Sequence, residues 1–254
     1  MVKINRSLLL WLQFCQRCIL CWLLLAPPLL AQETAKVRFN SLAEQFPNAP
    51  ATSFAVAQDQ QGFIWLANQL DGLVRFDGYQ LEPFTLLHPT GAEELSISTV
   101  QVDRQNRVWV GSWGYGLLML SADRQHTRHW QLAGTLQQPA NGQQGNLDQI
   151  QHIYHDRQQR LWVGTTAGVY LLDQQLQRQP LPAAVAGLLE NIRIWKIAQS
   201  KDGSLWFATA RGLVQLSADL STHKLWSLQD VVYTGKTSRY LEVRTLLPVD
   251  NQLW

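Results

Sequence analysis

Tryptophan recurs at Trp65, Trp109, Trp162, Trp206 and Trp254, each time inside the same short apolar run, at spacings of 44, 53, 44 and 48 residues. Around the first four the similarity extends over about thirty positions: "QGFIWLANQLDGLVRFDGY", "NRVWVGSWGYGLLMLSAD", "QRLWVGTTAGVYLLDQ" and "GSLWFATARGLVQLSAD". A period of this length identifies one supersecondary unit that is copied along the chain and cannot bury its apolar surface alone.

Each copy opens with a short strand, such as "SFAVAQD" (Ser53–Asp59) or "IQHIYHD" (Ile150–Asp156), and then turns tightly. Gly62, Asn106, Gln159, Gly203 and Asn251 stand three residues before the Trp, and all but Gln159 accept a positive φ cheaply, as a bulged hairpin requires. Asp59, Asp103 and Asp156 begin their turns, where a carboxylate caps backbone N–H groups; Ser200 takes this place in the fourth copy. The Trp strand has apolar residues at consecutive positions, so both its faces are buried. Ala67, Gly111, Gly164 and Ala208 follow two residues after each Trp, which predicts close approach of a neighbouring sheet. A third strand follows Gly72, Gly116, Gly168 or Gly212, and a more polar fourth is expected around Leu81–Leu87, Thr127–Leu132, Leu176–Leu181 and His223–Leu228.

Four antiparallel strands in 44 to 53 residues make one blade of an all-β propeller. The expected blades are 53–90, 98–132, 150–182 and 194–228, with a fifth beginning at 243–254 and a lead-in at 32–52 in which Val37–Phe39 could close the ring. Propellers close with four to eight whole blades, and the fifth copy stops at Trp254 inside its Trp strand, so the chain reads as an incomplete propeller, the N-terminal part of a longer protein or a truncated gene product.

Residues 1–31 carry Lys3, Arg6 and Arg17, no acid, and the uncharged run "CILCWLLLAPPLL" before Ala31. Basic, apolar, then small is the layout of a secretory signal peptide, which predicts export to the periplasm. The competing reading, a retained anchor over Leu8–Leu30, would sink Arg17 into the bilayer at roughly 2.5–3.5 kcal/mol. All three cysteines lie in this leader, and without it 18 basic and 19 acidic residues remain. Such a balance offers no field for nucleic acid.

Catalytic motifs are not found: there is no nucleophile elbow, Walker loop or zinc helix. His152 and His155 stand three apart on a strand and so face opposite sides, which predicts no shared metal. No cofactor is expected. In a propeller, ligands meet the loops at one end of the central channel. The turns after the Trp strands, "NQLDG", "SWGYG", "TTAG" and "TARG", all emerge at one end and carry the candidate ligand-binding residues Asn68, Asp71, Trp113, Tyr115, Thr166 and Arg211. Trp113 and Tyr115 could stack against a sugar ring or peptide, or pack on the neighbouring blade. The connectors 133–149 and 229–242 exceed what a propeller needs.

The stretch Asp59–Phe84, "DQQGFIWLANQLDGLVRFDGYQLEPF", together with "LWVGT" at Leu161–Thr165, resembles the propeller repeats of two-component regulator sensor proteins, most specifically in the first blade. That resemblance implies one or two seven-bladed propellers, so that further blades would follow, then a small β-sandwich, a membrane helix and a cytoplasmic output domain, commonly a histidine kinase or diguanylate cyclase. It further implies a dimeric, inner-membrane-anchored receptor that senses a ligand, such as oligosaccharide fragments, through a segment that is not itself an enzyme. The alternatives are a stand-alone secreted propeller scaffold and a propeller lyase.

Overall fold

A computed structural model describes residues 41–47, 49–50, 52–86, 95–130, 132, 149–227, 242–249 and 252–253. The leader, Val37–Phe39, Trp254 and most of both long connectors lie outside these residues. A short helix, α1 (Leu42–Gln45), precedes four antiparallel sheets. The first holds β1 (Ala55–Gln58), β2 (Ile64–Ala67), β3 (Leu73–Phe76) and β4 (Leu81–Phe84). β5 (Ile97–Val102), β6 (Val108–Ser112), β7 (Leu117–Leu120) and β8 (Thr127–Trp130) form the second. The third comprises β9 (Ile150–His155), β10 (Leu161–Thr165), β11 (Val169–Leu172) and β12 (Arg178–Gln179). After helix α2 (Ala186–Leu189) come β13 (Ile194–Gln199), β14 (Leu205–Thr209), β15 (Gly212–Leu216) and β16 (His223–Ser227). A hairpin of β17 (Pro248–Val249) and β18 (Gln252–Leu253) follows. These are four propeller blades and the start of another, as the repeat requires.

Two expected elements differ. The fourth strand of the third blade is only Arg178–Gln179, because Pro180 has no N–H to extend the ladder. In the fifth copy, the strand expected over Val243–Val249 is paired only at Pro248–Val249.

The first strands of successive blades lie beside one another, β1 against β5, β5 against β9 and β9 against β13. The cores consequently form between blades rather than within them. Trp65 joins Leu73 to Ile97, Val108 and Leu118 of the second blade, and Trp162 joins Leu171 to Ile194, Ile197 and Phe207 of the fourth. Trp65, Trp109 and Trp162 are wholly buried, and each such burial contributes on the order of 1.5–3 kcal/mol or more.

The small residue after the Trp permits this contact. A Cβ on Gly164 would lie 2.8 Å from Ile194 Cγ2, and one on Gly111 would overlap Ile150. Gly164→Ala is therefore expected to lower stability by about 1–3 kcal/mol by forcing the blades apart. The urea midpoint measures it, and Gly187→Ala, inside α2 where an added Cβ meets nothing within 4 Å among the described residues, serves as a control that should not lower it.

The turns contain a latch. Asp59 Oδ1 accepts the N–H groups of Gln61 and Phe63, both at 3.0 Å, while its Oδ2 accepts Trp65 Nε1–H at 2.8 Å. Asp103 and Asp156 bind Trp109 and Trp162 in the same way, at 2.8 and 2.9 Å. In these two blades Arg107 and Arg160 donate Nε–H to the same carboxylates at 2.6 Å, and their guanidinium groups cover the indoles. In the fourth blade two residues share the work of the one aspartate. Ser200 Oγ accepts Trp206 Nε1–H at 2.9 Å, and Asp202 caps the turn through Ser204 N–H at 3.0 Å. All four turn residues adopt positive φ, including Gln159 at 63°, so the hairpin geometry overrides that residue's preference.

Candidate ligand-binding end of the propeller

Each first strand runs from one end of its blade to the Asp turn at the other. The turns after the Trp strands and the connectors between blades therefore share the end opposite the latch. Backbone hydrogen bonds join them: Ile97 N–H to Asn68 O at 3.0 Å, Asn191 N–H to Ala167 O at 2.9 Å and Ala210 N–H to Arg193 O at 3.1 Å.

The six expected residues all lie here, with unequal access. Asn68 is buried: its Oδ1 accepts the N–H groups of Leu70 at 2.7 Å and Asp71 at 3.0 Å, and its Nδ2 donates to Thr52 O. Ser112, Thr165 and Thr209 hold the same place in the other blades and brace their turns through Oγ, which donates to the carbonyl of Gly116, Gly168 or Gly212. Asn68 is thus a turn brace, a role visible in the aligned set Asn, Ser, Thr, Thr. Thr166 is partly committed as well, its Oγ1 accepting Gln149 N–H at 3.3 Å. Asp71 and Arg211 are exposed.

Trp113 and Tyr115 are half-buried. The Trp113 ring leans on Phe54 of the first blade, with centroids 5.4 Å apart and planes tilted by 37°. Its Nε1 is buried without a hydrogen-bond partner among the described residues. Phe54 itself is 49% exposed, so the pair presents an aromatic step between the first two blades. Tyr115 packs against the core shared by those blades, and its carbonyl faces His129 Nε2. Phe54 is not among the six expected residues, because its place just ahead of β1 gives no sign of a partner in the next blade.

A second aromatic group sits at this end of the fourth blade. Trp195 occupies the irregularity between Ile194 and Lys196 in the pairing of β13 with β14. The guanidinium carbons of Arg193 and Arg244 lie 4.9 and 5.1 Å from its ring centroid. Arg211 belongs to the turn bonded to Arg193, so this side of the end is cationic.

The histidines of β9 do face opposite sides. His152 Nδ1 accepts Ile197 N–H at 3.2 Å in the fourth blade, and His155 Nδ1 lies 3.3 Å from Gln101 Oε1 in the second. Burial, with Lys196 beside it, pushes His152 down to about 3; burial also lowers His155, to about 4, against the pull of Asp103. Both folded values lie below the ordinary 6.5. The unfolded chain therefore takes up protons first, and stability falls as pH drops from about 6.5 toward 4 and 3. The urea midpoint is expected to decline over that window, and His155→Gln should flatten the decline; an unchanged slope would contradict the assignment.

No curated protein matches the chain. The profile of the Two component regulator propeller family matches residues 144–167 and 187–211. These matches fall on the third and fourth repeats rather than the first, where the resemblance was expected to be most specific. Among solved structures, the extracellular domain of a hybrid two component system from B. thetaiotaomicron is 22% identical with a TM-score of 0.56, over 76% of this chain and 26% of that one. A second such domain from the same organism gives 17% and 0.55, over 78% of this chain and 25% of that one. A virginiamycin B lyase from Staphylococcus aureus, solved with quinupristin, gives 13% and 0.57, over 82% and 64%. The chain thus spans about a quarter of the extracellular domains it resembles, and at these identities the likeness establishes the fold. Two segments of the chain, residues 144–167 and 187–211, match the two-component regulator propeller repeat, and the chain around them folds as four consecutive blades of a β-propeller.

Proposed function

We propose that this chain is the extracytoplasmic, ligand-sensing propeller of a transmembrane signalling receptor. The two repeat matches at 144–167 and 187–211 carry the reading, and the shared fold with extracellular domains of hybrid two component systems supports it. The periplasmic location rests on the leader of residues 1–31, and the anchored dimer and kinase or cyclase output rest on the family resemblance. Ligand engages the end that carries Trp113, Phe54, Asp71 and Arg211, because there the exposed Phe54 ring meets the half-buried Trp113 beside the exposed charges of Asp71 and Arg211. An oligosaccharide suits an aromatic step flanked by polar loops.

The test uses the full-length gene product in membrane vesicles. Autophosphorylation or cyclic dinucleotide synthesis is titrated with a panel of neutral and acidic oligosaccharides. A saturable change in output is expected, weakened at least about ten-fold by Trp113→Ala. A reading frame that ends without a membrane span and output domain would overturn the receptor reading and leave a secreted scaffold.

A further inference from the structure

The third blade breaks the repeat. Its fourth strand pairs only Leu171 with Gln179 and Leu172 with Arg178, whereas β4 and β8 pair over four residues and β16 over five. Pro180 ends the ladder, and the chain leaves the sheet, turns through α2 and returns at Glu190, which bridges Gly168. The detour borders a half-open cavity of about 750 Å³ beside Tyr170, within the size range of small-ligand sites, roughly 300–1,000 Å³.

The walls carry opposite charges that do not meet. Arg178 lies 4.7 Å over the Tyr170 ring, which fixes its guanidinium at the cavity wall. Glu190 lines the same cavity, yet among the described residues neither Arg178 nor Glu190 has an ion-pair partner. Both are exposed, so each remains hydrated and available. Two carboxamides line the same cavity. Gln179 donates Nε2–H to Asp173 at 2.7 Å, which leaves its Oε1 as an acceptor, and Asn191 is exposed. Leu181 adds an apolar wall.

We propose that this cavity binds a short zwitterionic peptide, with its C-terminal carboxylate on Arg178 and its N-terminal ammonium at Glu190. Charge decides the class. A simple anion would meet Glu190, a simple cation would meet Arg178, and a neutral ligand would use neither. A guanidinium and a carboxylate in one cavity match a ligand carrying both charges, and the carboxamides match the peptide groups between them. The site is separate from the Trp113 step, and its occupancy does not depend on the receptor reading.

Calorimetric titration of the full chain with trialanine, N-acetyl-trialanine and trialanine amide tests this. Trialanine is expected to bind saturably, and each blocked peptide at least about ten-fold more weakly. Arg178→Gln should abolish the preference over the amide, and Glu190→Gln the preference over the N-acetyl form. Because the peptide comparison is made on the unaltered chain, it stands even if a variant folds poorly. Absence of trialanine binding at millimolar concentration, equal binding of the blocked forms, or preferences that survive both substitutions would overturn the proposal.

Discussion

Trp162→Ala is expected to lower the free energy of unfolding by about 3–5 kcal/mol, the range for emptying a wholly buried tryptophan site. Three losses coincide at this position. The indole is 0% exposed and lies between two blades, in edge contact with Phe207 at 5.5 Å between centroids. Its removal opens a cavity that neither sheet can collapse into, since each is held by its own ladder. The Asp156 carboxylate then loses the donor that binds it at 2.9 Å, which adds the cost of a buried acceptor left short of a partner. Trp162→Phe separates the terms: it retains most of the apolar contact, loses the donor, and should cost about 1–3 kcal/mol. Urea unfolding reads both. A Trp162→Ala loss below about 1 kcal/mol would mean that the blades are not packed through this residue.

Arg124→Met should cost about 3 kcal/mol, because it strips a buried carboxylate of its cation. The first blade has Phe63 where the second and third have Arg107 and Arg160, so its latch has no arginine of its own. Arg124, from the turn before β8, supplies one across the interface: its Nη2 donates to Asp59 Oδ2 at 2.8 Å and its guanidinium sits 5.3 Å from the Trp65 ring centroid. The residue adopts a positive φ of 63° and is tied to Asn106 O at 2.6 Å, which aims the side chain backwards at the preceding blade. Burial alone would raise the Asp59 carboxyl, but the Trp65 and Arg124 donors outweigh it and hold the group below the usual 3.8. A depressed folded value means that this stabilisation is present above about pH 4 and is lost as pH falls through the folded value. Removing Arg124 is therefore expected to start acid unfolding at a higher pH. In a double-mutant cycle, Asp59→Ala and Arg124→Met together should cost less than their sum. Simple additivity would show that the contact carries no coupling.

The blades are legible in the sequence because each depends on short-range patterning: alternation, turn residues and a spacing that recurs. The cross-blade part of the latch is not legible. Asp59 reads as a turn residue, and its bond to Trp65 follows from hairpin register once the hairpin is known. Its bond to Arg124 spans 65 residues and depends on how two sheets stack, a relation with no period in the sequence. Leu176 and Leu220 hold the corresponding turns with the same positive φ and pack on the preceding blade's core instead.

The candidate site shows the same division. The turns locate the end of the propeller, yet they do not reveal which side chains are accessible there. Asn68, one of the six residues, is spent on bracing its turn, while Phe54 gains a role only through contact with Trp113. The cavity of the third blade arises from what β12 fails to do, and Pro180 is its one sequence signal. That signal is faint because a short polar outer strand is the weakest part of each repeat.

An alkaline phosphatase fusion made after Trp254, with residues 1–31 intact, tests the extracytoplasmic sensor most directly. That enzyme becomes active only where its disulfides form, outside the reducing cytoplasm. The account predicts active phosphatase in the periplasmic fraction and none when residues 1–31 are deleted. Inactive fusion protein in the cytoplasm, with the leader present, would contradict it.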